Sequence, residues 1–287
     1  MNGFSLCRRA ALAGGLASLG ARAAPALGGA PIDVEGGRCL VPVKLDGKQA
    51  RLVLDTGAER SLLCTRAVAR LGSRPDRWVS TTLRGAGGRL EAHANVDVVA
   101  TLGGMRLWQN APTVGLSLPV TSADLGDADG LLGGDILCHY AVELDVPRGQ
   151  VALLPAAAAM VGAARVALQA WRQTMLLAPV MLDGRALVAL LDTGAAASLI
   201  NARGLYRLGL ATPDAGGVTL HGIGGATPAG RHLFRELRVG SLRVEAPALL
   251  TLASPEAAFD MVLGLDVLGR QRILVSYARL LLEIAGA

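Results

Sequence analysis

Val43-Lys-Leu-Asp-Gly-Lys-Gln-Ala-Arg-Leu-Val-Leu-Asp-Thr-Gly-Ala58 returns, without a gap, as Val180-Met-Leu-Asp-Gly-Arg-Ala-Leu-Val-Ala-Leu-Leu-Asp-Thr-Gly-Ala195. Asp55 and Asp192 therefore stand 137 positions apart. The same spacing joins Leu83-Arg-Gly-Ala-Gly-Gly88 to Leu220-His-Gly-Ile-Gly-Gly225. A third pair, Asp129-Gly-Leu-Leu-Gly-Gly-Asp-Ile-Leu137 and Asp260-Met-Val-Leu-Gly-Leu-Asp-Val-Leu268, lies 131 apart, so the second copy is six residues shorter between these motifs. Three motif pairs in one order mark a duplicated unit rather than chance among Gly-rich apolar strings.

Each copy reads as β structure. Residues 41–45 and 50–54 are short apolar runs around Asp46-Gly47, a dipeptide suited to a tight hairpin turn, and Asp183-Gly184 repeats the arrangement. After each Asp-Thr-Gly-Ala comes a stretch compatible with a helix, residues 61–71 and 198–208. Residues 151–164 are Ala-rich, contain Pro155 and have no counterpart in the repeat, which makes them the natural linker. The division that follows is 1–23 export signal, 24–154 first lobe, 155–165 linker and 166–287 second lobe.

The bulk composition agrees with two compact lobes. The chain has 287 residues, enough for two small cores, with 52% hydrophobic and 18% charged residues. Its formal charge of +5 drops to +2 once residues 1–23 are set aside, because they hold Arg8, Arg9 and Arg22 and no acid. No basic run with interleaved aromatics remains, which argues against a nucleic-acid partner. Residues 1–23 read as a signal for export to the periplasm or beyond. Arg8-Arg9 precedes a weakly apolar stretch, and Ala21-Arg22-Ala23 offers a small-x-small cleavage site. Arg8-Arg9 with Leu12 is similar to a twin-arginine signal, with Ala11 at the position where Phe is usual. The apolar stretch is too short for a stable membrane span. Cys39, Cys64 and Cys138 have no metal-type spacing and read as small apolar packing residues; no metal or cofactor is implied.

Asp55 and Asp192 each end an apolar run, where burying a carboxylate is costly. One such Asp is ordinarily a turn residue. Two at equivalent places in a duplicated chain would meet at a pseudo-twofold axis and share a proton, because adjacent carboxylates cannot both ionise. Thr56 and Thr193 carry hydroxyls that can tie the two loops together. Gly57 and Gly194 permit close backbone approach, and Ala58 and Ala195 complete the loops. Gly85, Ala86, Gly87 and Gly88, with Gly222, Ile223, Gly224 and Gly225, read as hairpin tips able to close on a substrate.

These residues resemble the aspartic peptidases of the retroviral-pepsin type. The Asp-Thr-Gly-Ala loop, the Gly-rich flap and the apolar-apolar-Gly motif (Leu131-Leu132-Gly133, Val262-Leu263-Gly264) occur in the family's order, twice, over most of residues 38–287. The resemblance implies an all-β fold of two homologous closed β-barrel lobes about a pseudo-twofold axis, with short helices. It also implies an active site formed within one chain, as in pepsins, although the retroviral route through a homodimer stays open. Asp135 and Asp266, after the motif Gly, are then structural, and Ser61 and Ser198 match the Ser/Thr six residues after the catalytic Asp. The implied activity is an endopeptidase acting on a peptide or protein substrate. The alternative is a non-catalytic peptide-binding protein that kept the fold. The flap lacks the pepsin tyrosine, and Glu59-Arg60 stands where the second copy has Ala196-Ala197, an asymmetry that would distinguish the two sides of the cleft.

Overall fold

In the computed structural model, the described residues are 26–75, 81–85, 88–92, 94–109, 115–211, 217–222, 225–253 and 258–286. Residues 1–23, expected to be an export signal, and the expected flap-tip residues Ala86, Gly87, Ile223 and Gly224 lie outside them.

Both lobes are built on the same strand order. Strands Arg38–Leu45 and Lys48–Leu54 form an antiparallel hairpin, as do Met175–Leu182 and Arg185–Leu191. Their turns need positive φ at both central residues: Asp46 and Gly47 lie at 49° and 81°, Asp183 and Gly184 at 48° and 78°. That is the mirror-image turn whose twist matches paired strands, and Asp-Gly is well suited to it. Each Asp side chain also accepts from the backbone of a segment about 50 residues further on, Asp46 from Val99 N–H and Asp183 from Arg235 and Glu236 N–H.

The second strand of each hairpin becomes more buried towards its end. Leu52, Val53 and Leu54 in one copy, and Ala189, Leu190 and Leu191 in the other, are inside the sheet just before the Asp. Strand Gly130–Leu132 lies parallel to Lys48–Leu54 and antiparallel to Leu62–Cys64. Strand Met261–Leu263 repeats this against Arg185–Leu191 and Leu199–Asn201. The loop carrying each Asp must therefore cross over the end of an apolar strand wedged between its own two flanks. That crossing fixes the loop's position in the fold.

One expectation is corrected. The stretches 61–71 and 198–208 do not start as helices: Leu62–Cys64 and Leu199–Asn201 are fully buried strands, and helices Thr65–Leu71 and Ala202–Arg207 follow. Burial against the Gly130–Leu132 and Met261–Leu263 strands overrides helix propensity there. The helices begin where a side chain can cap them, Cys64 Sγ accepting from Ala67 N–H and Asn201 Oδ1 from Gly204 N–H.

A six-stranded sheet joins the lobes, in the order Gly28–Pro31, Gln150–Pro155, Tyr140–Asp145, Ile273–Ser276, Leu281–Ile284 and Ala164–Ala167. Its centre is the antiparallel pairing of Tyr140–Asp145 with Ile273–Ser276, one strand from each copy. Strand Gln150–Pro155 runs through Pro155, and strand Ala164–Ala167 starts at Ala164. The strand-free crossing between these two strands is 156–163. Glu283, wholly buried, holds this crossing in place through Met160 N–H and ion pairs with Arg165 and Arg279.

The largest core cluster is continuous through both lobes and the joining sheet. Two smaller clusters lie beneath the cleft, one around Val53, Leu62 and Leu131, the other around Leu190, Leu199 and Val262.

Candidate active site

The two Asp-Thr-Gly loops meet where the lobes join. Asp55 N–H donates to Leu132 O and Asp192 N–H to Leu263 O, both at 3.0 Å, which ties each loop to the wedged strand of its own lobe. The threonines then exchange partners between lobes. Thr56 Oγ1 donates to Leu191 O at 3.0 Å and accepts from Thr193 N–H at 3.1 Å. Thr193 Oγ1 donates to Leu54 O at 2.7 Å and accepts from Thr56 N–H at 3.1 Å. Both side chains are buried, so these four bonds have no water to compete with them.

Gly57 N–H donates to Asp55 Oδ1 at 2.9 Å. Gly194 and Ala195 N–H both donate to Asp192 Oδ1 at 2.9 Å. The two carboxyl groups stand close enough to shift each other's titration, and both lie above the ordinary carboxylate range. For Asp55 the largest cause is burial, followed by the charge of Asp192, and its shift is the greater. For Asp192 burial raises the value while backbone donors and Asp55 hold it back. One proton shared by the pair fits both directions.

A matching support lies under each loop. Asp135 Oδ1 accepts from Ser61 N–H at 2.8 Å and Ser61 Oγ at 2.7 Å, and Gly133 N–H donates to Ser61 Oγ. Asp266, Ser198 and Gly264 repeat this with 2.9, 2.7 and 2.9 Å. The first lobe adds a layer of its own: Gln109 Nε2 donates to Asp135 Oδ2 at 2.7 Å, and His139 Nε2 bonds Gln109 O. The His139 ring stacks on Trp108 at 3.7 Å. Burial pushes Asp135 up, and the bonds from Ser61 and Gln109 oppose it.

The carboxyl pair opens into a cleft of about 1090 Å³ lined by both lobes. Gly57, Gly194 and Ala195 line it beside the two Asp residues, and Gly222 and Gly225 reach it from the second hairpin. In that hairpin Gly222 pairs with Gly225, and in the first Gly85 pairs with Gly88, so each set brackets a two-residue tip. Among the described residues no group of His, Cys, Asp and Glu is arranged to hold a metal ion, and no helix is long and apolar enough to cross a membrane.

The aspartyl protease family model matches residues 41–136 and again 178–267, which contain the two loops and their supporting motifs. The chain belongs to the aspartyl protease family. The double match follows the internal duplication. Among solved structures, this aspartyl protease is similar to the aspartic proteinase from Irpex lacteus. The TM-score is 0.60 at 13% identity, over 91% of this chain and 97% of that one. At that identity the likeness speaks for the two-lobed fold alone. No curated protein gives a significant match.

Gln109, His139 and the contacts of Glu59 are parts of the site that the motifs do not mark. Glu59 pairs with Arg172 of the second lobe at 3.3 Å, and its carbonyl accepts from Thr174 Oγ1 at 3.1 Å. The asymmetry of Glu59-Arg60 against Ala196-Ala197 was the available signal, but the partner lies more than 100 positions away.

Proposed function

We propose that this aspartyl protease is an endopeptidase that cleaves internal peptide bonds with Asp55 and Asp192 as its catalytic pair. The observation that carries the proposal is the meeting of the two Asp-Thr-Gly loops, each glycine packed against the opposite carboxyl, with both carboxyls half-buried at the floor of a two-sided cleft. A water held between them gives a proton to ionised Asp192 as its oxygen attacks the substrate carbonyl carbon. Protonated Asp55 delivers its proton to the carbonyl oxygen, giving a tetrahedral diol. Asp192 then passes its proton to the amide nitrogen, the C–N bond breaks, and Asp55 regains a proton from one hydroxyl. The pair ends as it began, with one proton.

The surroundings support these roles. Backbone donors favour the ionised form of each carboxyl while burial favours the protonated form of both, a balance that suits one proton shared between them. The exchanged threonine bonds hold both loops at a fixed separation, which a relay of protons between two carboxyls requires. The Gly-rich hairpins are read as lids that exclude water when a peptide is bound. The pattern of residues 1–23 supports export as the setting, with mature lobes 24–154 and 166–287.

Cleavage of an unstructured protein such as reduced casein tests the reading, with Asp55→Asn and Asp192→Asn beside the parent chain. Turnover should disappear in both variants. A folded parent chain that binds peptides without cutting them would replace the reading with that of a binding protein.

A further inference from the structure

The two sides of the cleft differ chemically at equivalent positions. The 137-residue offset between the copies sets Arg38 against Met175, and both side chains line the cleft. On the second lobe Met175 belongs to an apolar wall with Trp171 and Phe259, whose rings meet edge to face at 5.4 Å. The first-lobe residue matching Phe259 is Ala128, which is small and buried. The aromatic wall therefore has no first-lobe counterpart, and a cation stands in its place.

Arg38 is half-buried and donates to Leu125 O at 3.2 Å; among the described residues no carboxylate lies within ion-pair reach of it. Asp124 lines the same side, but its Oδ1 accepts from Gly126 N–H at 2.9 Å and closes its own turn. The other cleft arginine, Arg172, is already engaged. Its guanidinium lies 4.4 Å from the centre of the Trp171 ring and pairs with Glu59. Arg38 thus keeps N–H donors free in a groove that is partly out of water, where a planar guanidinium selects for carboxylates.

We propose that Arg38 determines specificity: the cleft takes a peptide with an acidic side chain on the first-lobe side of the scissile bond and a large apolar one against Trp171 and Phe259. The register relative to the scissile bond rests on the endopeptidase reading; the pairing of Arg38 with a carboxylate does not.

The test is a peptide pool whose cut sites are read by mass spectrometry, followed by matched peptides differing only as Glu or Gln at the selected position. Assays at about pH 5.5 keep the substrate Glu ionised, since its ordinary value is about 4.3. The parent chain should prefer the Glu peptide by roughly tenfold or more in kcat/KM, the order expected of a hydrogen bond between charged groups. Arg38→Met should bring the two peptides level, and Arg38→Lys should retain part of the preference. The same pair is titrated against Asp192→Asn, which binds without cutting. Equal treatment of Glu and Gln by the parent chain in both readouts overturns the assignment, as does a preference that survives Arg38→Met. Glu-selective binding with no cleavage by the parent chain would uphold Arg38 and reject the endopeptidase reading.

Discussion

Gly57 of the first lobe packs against the carboxyl group of Asp192 in the second, and Gly194 packs in the same way against Asp55. A Cβ added to either glycine would stand 2.6 Å from the Oδ2 of the opposing Asp. Each loop thereby sets the position of the other loop's carboxyl, and the glycines are required by space rather than by an unusual φ.

Gly57→Ala and Gly194→Ala should each displace the opposite carboxyl. Overpacking of this kind costs about 1–3 kcal/mol of stability. The loss of kcat should be larger in effect, roughly 10²-fold for an ångström of misplacement. Parallel measurement of thermal unfolding and kcat separates the two. Either variant with full kcat would show that the contact does not hold the pair.

The pH dependence of stability should carry the signature of Asp55. Burial and the charge of Asp192 raise it well above the ordinary aspartate range, so the folded state holds the proton more tightly than the unfolded one. Its contribution is complete below the unfolded value and is lost as pH rises through the folded one. Asp55→Asn removes that loss. The variant should melt at a higher temperature than the parent chain at neutral pH, and the difference should shrink on acidification. A difference that is constant with pH would contradict the raised value.

Glu283 should show the opposite trend. Burial raises its value, but Arg279, Met160 N–H and Arg165 outweigh it and leave the carboxyl below the ordinary range. Its stabilisation is present above the unfolded value and is lost as pH falls through the folded one. Glu283→Gln should destabilise the chain by about 2 kcal/mol, the order of losing charge-assisted hydrogen bonds to arginines that stay partly in water. Urea unfolding at neutral pH measures this, and the gap from the parent chain should narrow in acid.

The exchanged threonines give a further stability test. Thr56→Val removes an acceptor from Thr193 N–H and a donor from Leu191 O, both buried. Two unsatisfied groups should cost about 2–4 kcal/mol. Thr56→Ser keeps the hydroxyl and should recover most of it, which a purely apolar role for the side chain would not allow.

Much of the fold is legible in the repeat. The Asp-Thr-Gly-Ala loops recur with their flanking runs intact, and from them follow the duplication, the β character and the two lobes. Asp-Gly at 46–47 and 183–184 marks the hairpins because few other pairs tolerate positive φ twice in a row. The strands at Leu62–Cys64 and Leu199–Asn201 are not legible: three residues carry no periodicity, and their state is decided by the strand wedged beside them. The six-stranded joining sheet is hidden for a similar reason, since its central partners Val142 and Val275 are set by packing of the lobes. Motif order singles out Asp55 and Asp192 as candidates. The contact of Gly57 with Asp192 and the role of Gln109 beneath Asp135 depend on three-dimensional approach, which no spacing encodes.

The central claim is that Asp55 and Asp192 work as one unit sharing a proton, and kcat/KM for one peptide across about pH 3 to 7 tests it most directly, with Asp55→Asn, Asp192→Asn and the double variant alongside. The parent chain should give a bell whose two limbs report the two ionisations of the pair, and each single variant should fall by roughly 10²–10⁴-fold, to the level of the double. A single variant that keeps substantial activity, or losses that simply multiply in the double, would contradict a shared catalytic pair.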